Sequence, residues 1–288
     1  MDMEQLKTFV SLANRKNFTR TAEEMNVVQS TVTSRVKLLE QEVGEKLFRR
    51  QTRHVEITEA GKVFLDYAKQ TLEMMDEGIK AARIQSKFTS RLVIGGMNSL
   101  WETPLIEQIH EYQSANTNTA IRLVTGHSAD IIEKIRIGLI DIGFVYNPPS
   151  SSLFNVRTVK KEAILLAGAP DIVKKFDSFT WEELKNFPFI HYNWGPAFSE
   201  WFEMEIGNHE TMRYRVDHTG VALRLMQRRK GIGFMLESII SDYEEKGLLS
   251  RIPFISQTDI PIQHVYMVVN KHKEEKTESF QRHIVSLK

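Results

Sequence analysis

The stretch from Ala22 to Phe48, AEEMNVVQSTVTSRVKLLEQEVGEKLF, followed directly by Arg49 and Arg50, decides the N-terminal fold. It reads as two short helices joined by a tight connection. The second helix carries Gln29, Ser30, Thr31, Thr33, Ser34, Arg35 and Lys37 on its outer face, with Val32, Val36 and Leu39 at helical spacing on its inner face. Such a helix suits the major groove of DNA, where amide, hydroxyl and guanidinium groups meet base edges and phosphates. Gln29 and Arg35 are the candidates for base edges, because both form two-pronged hydrogen bonds. Thr19, Arg20, Ser30, Thr33, Lys37, Arg50 and Arg53 are the candidates for phosphates, which position a protein without specifying sequence.

Upstream, Leu6, Phe9, Val10 and Ala13 recur at helical spacing and predict an opening amphipathic helix. Phe18 is expected to pack in the turn, and Thr19 to cap a second helix running through Met25. The third helix is expected over Gln29–Val43, ending at Gly44. Downstream, Gln51 to Thr58 alternates, with Val55 and Ile57 on one face, and predicts a small hairpin or wing. Thr58 is placed to cap a long helix reaching about Gln85. On it Leu65, Ala68, Leu72, Met75, Ile79 and Ala82 step by 3, 4, 3, 4 and 3 residues. That is a heptad seam on a helix about 40 Å long at ~1.5 Å per residue. The seam is expected to pair with a second copy of itself, since a two-fold dimer doubles the contacts to a palindromic site. The alternative is a helix lying on its own domain.

Composition narrows the classes. Lys plus Arg number 38 and Asp plus Glu 37, so a basic footprint must be local. Lys46, Arg49, Arg50 and Arg53 supply one without an intervening acid. There is no cysteine, which excludes disulfides, thiol catalysis and cysteine metal sites. The start MDMEQLK does not resemble a secretory signal, and no window approaches a membrane span, so a soluble, cytoplasmic protein is expected. An enzyme is the competing class. The nine histidines are scattered, His110-Glu111 and His209-Glu210 lack the second histidine of a zinc site, and Gly231-Ile232-Gly233 precedes a strand instead of following one. A DNA-bending architectural protein is a further alternative. No cofactor or metal is expected.

From Arg91 the pattern changes, after a short hinge at Lys87–Ser90. Strands are expected at Leu92–Gly95, Ile121–Thr125 and Asp141–Tyr146, with helices from Thr103-Pro104 and from Ser128 to Ile137. After Asn147-Pro148-Pro149 and three serines, strands follow at Ala163–Ala167, Phe189–Tyr192, Gly231–Leu236 and His264–Val269. Helices are expected at Trp181–Asn186, Thr219–Arg229, Ile239–Lys246 and Glu275–Leu287. This alternation predicts parallel sheets with crossover helices in two α/β units, and ligands in such folds bind beyond the carboxyl ends of the strands.

Leu6, Phe9, Ala22, Gln29, Val32, Leu39, Glu40, Gly44, Leu47, Phe48, Arg50, Arg53, Thr58, Ala60 and Gly61, taken as spaced points, resemble the LysR-type transcriptional regulators. The resemblance spans the whole length and is strongest over residues 4–66. It implies an α/β multidomain chain. Residues 1–58 would form a winged helix-turn-helix, 59–90 a dimerising linker helix and hinge, and 91–288 an effector-binding domain like a periplasmic binding protein. Within that domain, 91–160 with 265–288 would form one subdomain and 161–264 the other, joined by crossover strands near Thr158–Glu162 and Pro261–Val265. The implied partners are double-stranded promoter DNA, RNA polymerase, further copies in a dimer or tetramer, and a small-molecule effector, for which an anion is one candidate class.

The same resemblance points to the loop Met97–Thr103 for effector contacts, with Ser99, Leu100, Trp101 and Thr103 as candidates. His127, Ser128, Tyr146, Asn193, Trp194, Thr219 and Gly220 would line the remaining walls. No Arg or Lys lies in the first two loops, so amides, hydroxyls and His127 would carry an anion there. The chain departs from the family's Ser-Gln-Pro-Ala-Val-Ser run, having Val28-Gln29-Ser30-Thr31-Val32-Thr33. Val28 cannot cap a helix, and Thr31 adds a methyl and a hydroxyl, so the DNA sequence preferred is expected to differ.

Overall fold

The computed structural model describes residues 1–50, 55–84, 87–173, 187–207 and 212–286. The chain divides into two compact units, Met1–Ser86 and Lys87–Lys288.

The first unit opens with α1 (Met3–Arg15), α2 (Phe18–Glu24) and α3 (Gln29–Val43). Asp2 caps α1 through a capping box with Gln5. Asn17, not Thr19, caps α2: its Oδ1 accepts from the Arg20 amide at 3.0 Å, and Thr19 already lies within the helix. Gly44, at φ +79, ends α3 in the left-handed conformation that glycine adopts without Cβ strain. Leu6, Phe9, Leu12, Val36, Leu39, Leu47 and Phe48 form the core between these helices. The wing is an antiparallel pair, β1 (Phe48–Arg50) and β2 (Val55–Ile57), so its first strand begins before the stretch expected from sequence. Glu40 joins helix to wing. Its buried carboxylate accepts from the Leu47 and Phe48 amides at 3.0 and 3.2 Å and from Lys46 Nζ at 2.7 Å.

Thr58 caps α4 (Glu59–Ile84), its Oγ1 accepting from the Gly61 amide at 2.9 Å. The expected seam splits. Leu65, Ala68 and Leu72 pack into the unit's own core, whereas Met75, Ile79 and Ala82 are exposed. A second apolar stripe, Val63, Tyr67 and Met74, stands open on another face of the helix.

Among its described residues the second unit holds two sheets. The first contains β3 (Ser90–Gly96), β4 (Thr119–Thr125), β5 (Ile142–Val145), β6 (Phe154–Glu162) and β12 (Gln263–Asn270), in the order β4-β3-β5-β12-β6. It is mixed, not wholly parallel: β4, β3 and β5 are parallel, but β12 runs antiparallel to both β5 and β6. Helix α5 (Leu105–Ala115) and the last helix, Glu274–Ser286, contribute Ile109, Tyr112, Phe280 and Ile284 to one core. Helix α6 (Ser128–Arg136) packs Ile131 and Ile135 against Val93, Val145 and Val268 in another. Asp141, 2% exposed, fastens the last helix to this sheet by accepting from the Val93 amide and pairing with Lys273 and Lys276.

The second sheet contains β7 (Ile164–Gly168), β8 (Ile190–Tyr192), β9 (Tyr214–Val216), β10 (Gly233–Leu236) and β11 (Ser250–Arg251). Strand β10 pairs with β7 and β7 with β11, both antiparallel, β8 and β9 are parallel, and the Phe189–Ile232 bridge links the two groups. The resulting order repeats the direction pattern of the first sheet. Strand β6 passes through Ala163 into β7, so the antiparallel β6–β12 pair carries the chain between the subdomains. Three helices, Pro196–Glu205, Thr219–Gln227 and Glu237–Glu245, flank this sheet. The first, absent from the sequence-based expectation, supplies Phe198, Trp201 and Phe202 to an aromatic core with Phe189 and Phe234. The helix expected at Trp181–Asn186 lies outside the described residues.

Candidate DNA-reading helix and effector cleft

Helix α3 presents Gln29, Ser30, Ser34 and Lys37 to solvent, with Thr31 and Thr33 half-buried beside them. Its N-terminus has no side-chain cap: the residue at the cap position is Val28, and the Thr31 amide turns back to the Val28 carbonyl at 3.0 Å. The first amides of α3 therefore remain available to an acceptor such as a phosphate oxygen. Thr19 and Arg20 are exposed on α2, with Thr19 Oγ1 3.4 Å from Gln29 Oε1. Arg50 lies in β1, and Arg53 lies outside the described residues.

Arg35 departs from its expected role. Its guanidinium turns inward to α1, donating to Thr8 Oγ1 at 3.3 Å and pairing with Glu4 at 3.3 Å. The reason is angular: Arg35 sits one position before Val36 on the flank of the buried stripe, so its side chain lies against α1 and not on the face that Gln29 and Thr33 share. In this arrangement Arg35 ties α3 to α1.

Within the second unit, a cleft of ≈ 730 Å³ lies between the two sheets. His127 and Tyr146 line it from the first subdomain, and Tyr192, Asn193, Trp194 and Arg215 from the second. Sequence reasoning missed Arg215, which sits on the short strand β9. It brings to the cleft the positive charge that the first two loops lack.

The other expected residues divide by role. Ser99 is fully buried and shares a 2.6 Å hydrogen bond with Tyr146 Oη. Burial pushes the Tyr146 phenol well above its ordinary value, and the bond to Ser99 only partly opposes this. Ser128 Oγ accepts from the Tyr146 and Asn147 amides, which fixes the β5 loop. Trp101 covers Gly96, where a Cβ would fall 2.7 Å from the indole, and its Nε1 donates to Thr125 Oγ1 at 2.8 Å. Trp194 is 2% exposed and donates to the Phe234 carbonyl, so it is first a packing anchor. Asn193 Oδ1 is already engaged by the Gly195 amide and Ser199 Oγ. Leu100 and Thr103 do not line the cleft. They line a separate cavity of ≈ 360 Å³ beside the crossover strands, where Leu105, Phe144 and Val265 also contribute.

Asn98, in the Met97–Thr103 loop, is not among the residues that the sequence singles out. Its side chain crosses the cleft. Asn98 Oδ1 accepts from the Thr219 amide at 3.1 Å and from Thr219 Oγ1 at 2.9 Å, while Nδ2 donates to the Asp217 carbonyl at 3.1 Å. Thr219 thus belongs to a clasp between subdomains, and the N-terminus of its helix is filled by an acceptor from this same chain. Gly220 follows it, its amide donating to His218 Nδ1 at 3.1 Å.

Residues 3–62 match the bacterial regulatory helix-turn-helix protein, lysR family, and residues 85–285 match the LysR substrate binding domain. The chain belongs to the LysR family. It is a LysR-type DNA-binding transcriptional regulator with an effector-binding domain, not an enzyme. The HTH-type transcriptional regulator CitR of Bacillus subtilis (strain 168) is 27% identical over 285 residues, covering 96% of each chain. BudR of Raoultella terrigena is 30% identical over 170 residues, covering 58% of this chain and 59% of its own. Among solved structures, full-length CbnR complexed with its target DNA gives a TM-score of 0.73 at 18% identity, covering 99% of both chains. AphB, the Vibrio cholerae virulence activator, gives 0.58 at 19% identity, with 99% of both covered. These structural likenesses establish the fold. No helix of the described residues is long and apolar enough to cross a membrane.

Proposed function

We propose that this LysR-type regulator binds a palindromic promoter site in the cytoplasm as a dimer or tetramer, and that a small effector in the cleft changes how it binds or bends that DNA. Gln29 reads a base edge. Ser30, Thr31, Thr33, Ser34 and Lys37, together with Thr19, Arg20, Arg50 and Arg53, hold the phosphates and the groove wall. Self-association uses the part of α4 that its own unit leaves open: Val63, Tyr67 and Met74, flanked by Met75, Ile79 and Ala82. Leu65, Ala68 and Leu72 are already committed to the core. RNA polymerase is the partner through which a changed promoter complex acts.

The observation that carries the effector reading is the Asn98 clasp across a cleft lined by both subdomains. A ligand that binds one arrangement of the subdomains better than the other shifts the population between them by its differential affinity alone. Arg215 and His127 supply cationic or hydrogen-bonding partners for an acidic effector, and Tyr146 and Tyr192 supply ring faces. The test is a thermal-shift screen of small metabolites on the full-length protein, followed by DNA footprinting with each stabilising compound. A compound that stabilises the wild type, loses its effect in Arg215→Ala and alters the footprint supports this reading. Compounds that bind in the cleft and leave the footprint unchanged would contradict it.

A further inference from the structure

Val28 stands at the cap position of α3 without the side-chain acceptor that such a position favours. It is 67% exposed, although its neighbour Val27 is half-buried. It joins none of the apolar clusters of the described residues. Local structure therefore gains nothing from valine here: the cap bond is forgone and the side chain is left in water. The residues that follow it, Gln29, Ser30 and Thr31, are all of hydrogen-bonding type. A lone aliphatic side chain thus sits at the leading end of the helix that enters the groove, within a surface otherwise built to meet polar atoms. The major groove of DNA exposes one aliphatic group, the C5-methyl of thymine.

We propose that Val28 is a specificity-determining residue that packs on a thymine methyl in each half-site. The proposal rests on the reading of α3 as the base-reading helix. Removing water from one methyl group on each side of this contact favours thymine over cytosine at that position. It also favours thymine over uracil, which differs by the methyl alone. Thr33 carries a methyl as well but keeps its hydroxyl, so its contact survives in a different form when thymine loses its methyl.

The experiment uses the full-length protein and a duplex selected by it from a random-sequence pool. Each dT of the selected half-site is replaced in turn by dU, symmetrically in both halves, and affinity is measured for the wild type, Val28→Ala and Thr33→Ser. One dT→dU change should weaken the wild type about three- to fivefold per half-site, the size of one buried methyl group. Val28→Ala should lose that dependence while keeping the wild-type melting temperature, and Thr33→Ser should retain it. The inference is overturned if no dT→dU change weakens the wild type, or if the dependence persists in Val28→Ala. Failure of the wild type to select any sequence would overturn the base-reading helix itself, and the inference with it.

Discussion

Replacing Asn98 by Ala removes one side chain and four cross-cleft hydrogen bonds: two accepted from Thr219, a long one accepted from Tyr192 Oη at 3.5 Å and one donated to the Asp217 carbonyl. Each such bond contributes about 0.5–1.5 kcal/mol net, because the freed groups regain water when the cleft opens. The loss to the clasped arrangement is therefore about 2–3 kcal/mol, or roughly 30- to 140-fold in its population relative to open arrangements. The Thr219 side chain is fully buried in the clasped state, so its amide reports opening directly. Hydrogen exchange at Thr219 should accelerate by about the same factor in Asn98→Ala, while core amides such as those of Ile94 and Phe144 keep their protection. Asn98→Asp retains both acceptor bonds from Thr219 and places a negative charge at a helix N-terminus, so it should restore most of the protection. Unchanged exchange at Thr219 in Asn98→Ala would refute the clasp. It would mean that packing alone sets the relation between the subdomains.

Three other expectations follow from named contacts. Glu40→Ala leaves the Leu47 and Phe48 amides without their acceptor at a buried site and should cost about 2–4 kcal/mol of stability, read by chemical denaturation; a cost within ~0.5 kcal/mol would contradict the helix-to-wing role. Arg35→Ala should lower stability by about 1–2 kcal/mol through its part-exposed ties to Glu4 and Thr8, yet leave discrimination between operator and random DNA intact; relaxed discrimination would return its guanidinium to the groove. The Tyr146 phenol, raised above its ordinary value of 10.0, contributes stability that is fully present below that pH and is lost as pH rises toward its folded value. Tyr146→Phe should therefore show a shallower loss of stability above pH ~10, and parallel alkaline unfolding curves would contradict the assignment.

Much of the first unit was legible because its signals are local. The α3 stripe, Gly44 and the Thr58 cap each depend on residues within a few positions. The cap of α2 was equally local but misassigned, since Asn17 offers the acceptor three residues before Arg20. What the heptad pattern could not reveal was which copy of the core it serves. Leu65 and Ala68 obey the same spacing whether they face Phe9 of their own chain or a second helix.

In the second unit the strands were mostly found, but their directions were not, because pairing of β12 with β5 and β6 is settled by residues more than a hundred positions apart. The helix Pro196–Glu205 was missed although its signal is local: Phe198, Trp201 and Phe202 recur at helical spacing, Glu200 and Glu203 stay exposed, and Gly195-Pro196 marks its start. His127 and Tyr146, expected from loops after strands, line the cleft. Arg215 and the Asn98 clasp come from juxtapositions across the subdomains, which leave no spacing in the sequence.

Genome-wide chromatin capture with the wild type and Gln29→Ala tests the central claim most directly. Sharp peaks that share a palindromic motif, and that collapse in Gln29→Ala while the variant remains folded, are the predicted result. Diffuse occupancy without a motif, or peaks indifferent to Gln29, would contradict sequence-specific regulation through α3.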